Sequence, residues 1–241
     1  MKQYTPVQVR FLAIRTLGNF LVLGSILAMF LTFGPAIKNE IGYRYNNLRG
    51  VRYVVTDNTK ADQSITPTPV PRQGGFFGDI LGRQETIKVL RPVNTDFGIV
   101  IPKIAANSRV VAQVDASNYE EYITALTEGV AQAAGTYFPG EGGNIYLFAH
   151  STDSFWNVGR YNAVFYLLKE LNVGDEIDLY YKGVRYRYEA TGREIVDPDN
   201  IHFLTNPTDS ETITLQTCWP PGTTLKRLII LAKPVSQLQS N

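Results

Sequence analysis

The chain has 241 residues, 44% hydrophobic and 19% charged, which is typical of one substantial globular domain with extensions or of two small domains. The net charge of +1 gives no indication of a nucleic-acid partner. The single cysteine excludes an intramolecular disulfide and a cluster of cysteine metal ligands. Only two histidines are available for histidine-dependent chemistry.

An uncharged apolar stretch, residues 16–37, lies between Arg15 and Lys38. A helix of about 20 residues crosses the roughly 30 Å hydrocarbon core of a bilayer. We therefore predict a transmembrane anchor over 16–37, preceded by a short cytoplasmic segment, 1–15. A cleaved signal peptide is the alternative, although the apolar run is longer than a typical signal-peptide core. Basic residues occur on both sides of the stretch, so the positive-inside rule does not decide its orientation.

Residues 38–95 are predicted to be a connector that is partly rich in proline and glycine. Prolines 67, 69 and 71 and the pair Gly74-Gly75 favour extended, poorly packed backbone. Within the connector, residues 76–95 contain the aromatic pair Phe76-Phe77. We hypothesise that residues 76–95 form a lid over the functional site.

From about residue 96 the pattern changes to short strands. Apolar or alternating runs predict strands over 97–101, 109–114, 144–149, 176–181, 184–190, 212–217 and 228–232. Asn118 followed by Glu121 predicts the start of a short helix, and residues 161–171 have helix-like spacing. Many short strands with brief helices favour a compact, mostly β barrel or sandwich over 96–235, followed by a tail, 236–241.

Cys218 follows the strand-like residues 212–217, and the Trp219-Pro220-Pro221 that comes next cannot continue a central strand. A cysteine at the end of a strand, at the mouth of a loop, is well placed to be a nucleophile. A free cysteine is also commonly a buried small hydrophobic residue. In an exported domain, a lone thiol risks oxidation. The residues alone leave both interpretations open.

Two further residues are candidates to act with this cysteine. His150 also lies at the end of a predicted strand, and a hydrogen-bonded structural role is its alternative. Arg227 lies nine residues after Cys218, a spacing that fits a loop between adjacent antiparallel strands. Its neighbour Lys226 competes for the same role, but successive residues of a strand point to opposite faces. The second histidine, His202, is interpreted as structural or surface-exposed.

These three residue types form a chemically sensible set. A thiolate is the attacking form of cysteine. A histidine can accept the thiol proton and then protonate a leaving amine. A guanidinium is permanently charged and can stabilise a developing oxyanion.

The residues from about 97 to 234 resemble the sortase family. The most specific match is Thr214-Leu215-Gln216-Thr217-Cys218, which is similar to the family's Thr-Leu-x-Thr-Cys signature. Further matches occur in the family's order at 99–104, 126–130, 135–140, 143–150, 173–177 and 227–232. Several matches in the right order are far more specific than any one alone.

This resemblance implies a closed sortase-type β-barrel with Cys218, His150 and Arg227 as catalytic residues. It implies a membrane-anchored transpeptidase outside the cytoplasmic membrane, acting on secreted proteins with an LPXTG-like sorting signal. The acyl group would pass to an amine of a cell-wall precursor or of a pilin lysine. Thr217, Ala149 and Trp219 are expected to shape the substrate site.

Two residues depart from the family pattern, and both bear on the subclass and on the sorting motif. Ala149 stands where many sortases have glycine, and the loop after the cysteine carries Trp219-Pro220-Pro221. No metal or organic cofactor is needed by this chemistry. Some members bind Ca²⁺, but no acidic cluster is assigned to it here, since Asp197 and Asp199 flank a proline and suit a turn.

Two other functions fit the same residues. A cysteine hydrolase on the same scaffold would resolve the thioester with water, and adding an amine distinguishes it from a transpeptidase. A catalytically silent, membrane-tethered binding module would keep all of its function in a Cys218→Ala variant.

Overall fold

The computed structural model describes residues 5–56, 86–151, 164–205 and 208–235. It contains one long helix, a small two-stranded sheet and a closed barrel. The barrel confirms the predicted fold class.

The N-terminal helix α1, Pro6–Leu48, is longer at both ends than the predicted anchor. It begins with a capping box in which the side chains of Thr5 and Gln8 bond to each other's backbone N–H groups, and Pro6 suits the first turn. The helix ends at Leu48, and Gly50, two residues later, has a φ of +68°, a backbone conformation that favours glycine. Its first part, Pro6–Phe30, is long and apolar enough to cross a membrane, by length and composition.

The last turns of α1 pack against the globular part. Tyr43 packs on the barrel core, and the Lys169 ammonium lies 2.9 Å from the Glu40 carboxylate. The hydrogen bond from Lys169 lowers the pKa of Glu40, against the opposing effect of burial. The first residues of the predicted connector are therefore helical and attached to the domain.

Two short strands, β1 (Val51–Val55) and β2 (Thr86–Leu90), pair in parallel beside α1. Strand β2 is the described part of the predicted lid, together with residues 91–95. Residues 76–85 lie outside the described residues, so the lid hypothesis stays a prediction.

The remaining elements in chain order are β3 (Phe97–Ile101), a 3-10 helix (Pro102–Ile104), β4 (Ala106–Val114), α2 (Tyr119–Glu128), β5 (Val130–Ala133), β6 (Asn144–Phe148), a second 3-10 helix (Tyr166–Glu170), β7 (Glu176–Tyr181), β8 (Val184–Val196), α3 (His202–Thr205), β9 (Thr212–Trp219) and β10 (Lys226–Pro234). These eight strands close into a barrel in the order β10-β8-β7-β3-β4-β5-β6-β9. Of the predicted helical stretch 161–171, the described part forms only the second 3-10 helix.

Branched and aromatic side chains fill the barrel interior, including Ile99, Leu147, Leu179, Leu215 and Ile230. All five residues of β6 are buried because its outer face is covered as well as its inner face. There Tyr146 and Phe148 pack with Leu126 of α2, and Phe203 and Leu204 of α3 pack against this cluster. Since the interior is filled, the ends of the barrel are where strand-terminal side chains can meet a substrate.

Candidate active site

Strands β6 and β9 bring the predicted histidine and cysteine to the same end of the barrel. They pair in parallel, with Phe148 opposite Gln216, and the Ala149 N–H donates to the Gln216 carbonyl at 3.2 Å. His150 and Cys218 each lie two residues beyond this pair. Parallel strands run the same way, so their carboxyl ends meet at one edge.

Strand β10 brings Arg227 to the cysteine. It pairs antiparallel with β9, and Arg227 lies directly opposite Cys218 in the register. Residues opposite each other in such a ladder place their side chains on one face. The Arg227 Nη1 donates to the carbonyls of Thr224 and Lys226, at 3.1 Å each, which fixes the guanidinium near the start of the strand.

Lys226 lies one position earlier, opposite Trp219, and is turned away. Its ammonium lies 2.6 Å from Asp197 in an exposed ion pair. Only one of the two basic residues, Arg227, therefore lies opposite the cysteine, as strand alternation predicts.

The predicted substrate-site residues have different surroundings. The Thr217 side chain is buried, and its hydroxyl donates to the Ala149 carbonyl at 2.9 Å. This bond links the residue before Cys218 to the residue before His150. Trp219 is half-buried and packs against the barrel core. Cys218 is itself a free, partly buried cysteine.

His202, in contrast, lies in the short helix α3 and is exposed. Its ring is 5.4 Å from that of Phe203. This position agrees with the interpretation of His202, from the sequence, as a structural or surface residue.

Two tyrosines that sequence reasoning did not select also lie near these residues. Burial raises the pKa of Tyr146 to about 12, and the positive charge of Arg227 opposes this rise. The Tyr146 hydroxyl donates to the Gln216 side chain. The ring of Tyr122 on α2 makes an edge contact with the His150 ring, with centroids 6.4 Å apart. Both contacts join elements distant in sequence, so no local pattern indicates them.

Among the residues for which side chains are described, no group of three or more His, Cys, Asp or Glu could hold a metal ion. This end of the barrel carries the thiol of Cys218, the imidazole of His150 and the guanidinium of Arg227.

Comparison with known proteins adds to this geometry. The family model described as the sortase domain matches residues 99–235, more than half of the chain. Sortase D of Bacillus subtilis (strain 168) is 32% identical over 139 residues, which are 56% of this chain and 62% of that protein. The chain thus spans less than two thirds of the length of this curated relative.

Solved structures of similar proteins are also sortases. Sortase C-1 from Actinomyces oris is 26% identical, with a TM-score of 0.49, covering 59% of this chain and 75% of its own. The Clostridium perfringens Sortase D5 transpeptidase is 23% identical, with a TM-score of 0.47, covering 59% and 79%. The matched family region, 99–235, contains His150, Cys218 and Arg227.

Proposed function

Because the chain belongs to the sortase family, we propose that it is a cysteine transpeptidase with Cys218 as nucleophile, His150 as acid–base and Arg227 as oxyanion stabiliser. The register that sets Arg227 opposite Cys218, at the barrel end where β6 delivers His150, is the observation that carries this proposal. A nucleophile, a proton carrier and a fixed positive charge at one point are what acyl transfer requires.

In the first half of the reaction, His150 accepts the thiol proton, and the Cys218 sulfur attacks the carbonyl carbon of the threonine in an LPXTG-like signal. Negative charge develops on the carbonyl oxygen, where the Arg227 guanidinium stabilises it. The Thr–Gly bond then breaks, and the proton on His150 passes to the departing glycine amine. The product is a thioester between Cys218 and the substrate's threonine.

In the second half, an amine attacks the thioester carbonyl. His150 takes a proton from the attacking nitrogen, the new amide bond forms, and the proton returns to the Cys218 sulfur as it leaves. The amine belongs to a cell-wall precursor or to a pilin lysine. Water in place of the amine would make the same chain a hydrolase.

We further propose that α1 anchors the chain in the cytoplasmic membrane, with the barrel on the outer side. Its apolar part, Pro6–Phe30, is long enough to span the hydrocarbon core. Secreted proteins carrying a sorting signal meet the enzyme on that side. The helix continues to Leu48 and packs on the barrel, which supports a catalytic domain held close to the bilayer.

The test uses the full-length chain in detergent, a set of LPXTG-like peptides and triglycine as the amine, with product masses as readout. We expect a ligated peptide that is absent with Cys218→Ala. Cleavage without ligation at any triglycine concentration would favour the hydrolase. Equal product from Cys218→Ala and the parent chain would contradict the proposal.

A further inference from the structure

Helix α2 carries one aromatic side chain toward the proposed site. The helix starts at the Asn118 cap, whose carbonyl accepts from the Tyr122 N–H at 2.9 Å. Ala125 and Leu126, three and four residues after Tyr122, are buried. Residues at this spacing share one face of a helix. Tyr122 therefore lies on the face of α2 that packs on the outside of strand β6.

The ring of Tyr122 contacts two rings at the end of β6. It stacks on Phe148, with centroids 5.6 Å apart and planes 11° apart. It meets the His150 ring nearly at a right angle, with centroids 6.4 Å apart and planes 85° apart. Stacked and edge-to-face contacts are the preferred geometries of aromatic pairs. Because the Phe148 stack fixes Tyr122, the edge contact restricts the position of the imidazole.

The electrostatic surroundings of Tyr122 agree with this placement. Burial raises the pKa of the Tyr122 phenol, the charge of Cys218 raises it further, and Arg227 lowers it. The tyrosine thus lies within reach of the charges of both residues. A phenol with a raised pKa stays neutral across the range in which a cysteine and a histidine exchange protons.

We propose that Tyr122 is a positioning residue, whose ring holds the His150 imidazole in the orientation from which it exchanges protons with Cys218. The inference rests on the proposed transpeptidation for the reaction that it serves. The ring contact itself needs no substrate, so it can be tested separately. Tyr122 makes and breaks no covalent bond in this role.

Three variants distinguish the effect of losing the Tyr122 ring from the effect of losing its hydroxyl and from the effect of a change elsewhere on helix α2. Tyr122→Leu removes the aromatic face, while Tyr122→Phe keeps the ring and removes only the hydroxyl. Tyr119→Leu is the matched control, because Tyr119 lies on the same helix and is 74% exposed. Tyr122→Met, whose unbranched and flexible side chain can fill the irregular space beside Phe148, replaces Tyr122→Leu if that variant has lost its cooperative unfolding transition.

The chain provides two readouts that a purely structural role would not change. It has one cysteine, so iodoacetamide alkylation of the full-length chain in detergent reports Cys218 alone, and its rate is measured across pH. It has two histidines, so His202 serves as the internal reference for the NMR signals of His150. The third readout is kcat and KM for peptide ligation.

For Tyr122→Leu we expect a shifted pH dependence of alkylation, moved His150 signals with unmoved His202 signals, and a kcat about tenfold lower at similar KM. Tyr122→Phe and Tyr119→Leu should behave as the parent chain. An unchanged alkylation profile and unmoved His150 signals in folded Tyr122→Leu would overturn the inference. So would an equal loss in Tyr122→Phe, which would assign the effect to the hydroxyl.

The two proposals fail in different ways. If no peptide is ligated by the parent chain but Tyr122→Leu still changes the alkylation profile and the His150 signals, the positioning role holds and the proposed function is wrong. If ligation occurs and Tyr122→Leu leaves all three readouts at parent values, the proposed function holds and the positioning role is wrong.

Discussion

At the scale of single residues, the arginine opposite the cysteine carries the most specific prediction. The planar guanidinium of Arg227 offers a fixed fork of donors, whereas a lysine ammonium is a mobile point charge. We expect Arg227→Lys to lower kcat by about 10²-fold or more, since the loss of one oxyanion donor has an effect of this size. Lys226→Ala is the control, because Lys226 pairs with Asp197 away from the cysteine. Steady-state ligation kinetics check this, and similar losses in both variants would contradict the assignment.

The buried hydroxyl of Thr217 gives a second prediction at this scale. Thr217→Val keeps the shape but removes the donor to the Ala149 carbonyl, so a buried acceptor loses its partner. We expect the unfolding free energy to fall by about 1–3 kcal/mol. We also expect slower ligation, because the backbone next to His150 loses the hydrogen bond that holds it to β9. Thr217→Ser keeps the hydroxyl and should retain most of both. Urea unfolding and ligation rates measure both effects. A Thr217→Val variant with the stability and activity of the parent chain would contradict the role of this hydrogen bond.

At the scale of elements, a carboxylate at the opposite end of the barrel holds the turn before β6. Glu211 accepts from the backbone N–H groups of Gly140 at 2.8 Å and Gly142 at 3.2 Å. Its other oxygen accepts from the buried hydroxyl of Tyr188. Burial and this bond to Glu211 raise the pKa of Tyr188, so the phenol remains a donor.

We expect Glu211→Gln to lower unfolding free energy by about 1.5–3 kcal/mol, the range for hydrogen bonds to charged groups. The alkylation rate of Cys218 should stay within twofold, because Glu211 lies at the strand starts and Cys218 at the strand ends. Glu141→Gln is the matched control, since Glu141 is exposed and its carboxylate accepts from the nearby Phe138 N–H. Denaturant unfolding with parallel alkylation checks this, and a large change in alkylation would show that the two ends are coupled.

Seven of the eight barrel strands follow from local apolar or alternating patterns, whereas the four-residue β5 has no such pattern and is missed by the sequence analysis. How far each strand extends depends on its partners. The alternating pattern predicts β8 only to residue 190, whereas the strand runs to Val196 because its second half pairs with β10, with Gly192 opposite Leu231. The register shifts between Leu231 and Ala232, where Thr191 of β8 is the extra residue of a β-bulge. Helix α1 likewise continues beyond its apolar stretch because contacts with the barrel stabilise its last turns.

The same distinction holds for the candidate site. The pairing of Cys218 with Arg227 followed from loop length and strand alternation, which are both sequence quantities. The place of Tyr122 did not, since it depends on how α2 packs across β6. A helix face shows that Tyr122 is partly buried, but not which strand covers it.

At the scale of the whole molecule, one buried ion-pair network makes stability depend on pH. Asp178 is fully buried and accepts from Arg185 at 2.9 Å through each of its oxygens, and Arg185 also donates to Glu176. Burial raises the pKa of Asp178 to about 6, against the opposing effect of Arg185. Between the unfolded pKa of 3.8 and the folded pKa of about 6, the folded state therefore holds a proton on Asp178 that the unfolded state has released.

Because the folded pKa lies above the unfolded value of 3.8, the stabilisation from protonated Asp178 is complete below that value and is lost as pH rises through about 6. We expect Asp178→Asn to flatten the fall in stability between about pH 4 and pH 7. Asp199→Asn, at an exposed position, should keep the parent slope. Thermal unfolding of each variant across pH measures this, and an unchanged slope in Asp178→Asn would contradict the assignment.

A thioester between Cys218 and a sorting signal would appear in the intact mass of the chain. The full-length chain is incubated with an LPXTG-like peptide, without an added amine, and quenched in acid. We expect an added mass equal to that of the peptide through its threonine less one water, located on Cys218, absent in Cys218→Ala and discharged by triglycine. No adduct with any such peptide, while iodoacetamide still alkylates Cys218, would contradict it.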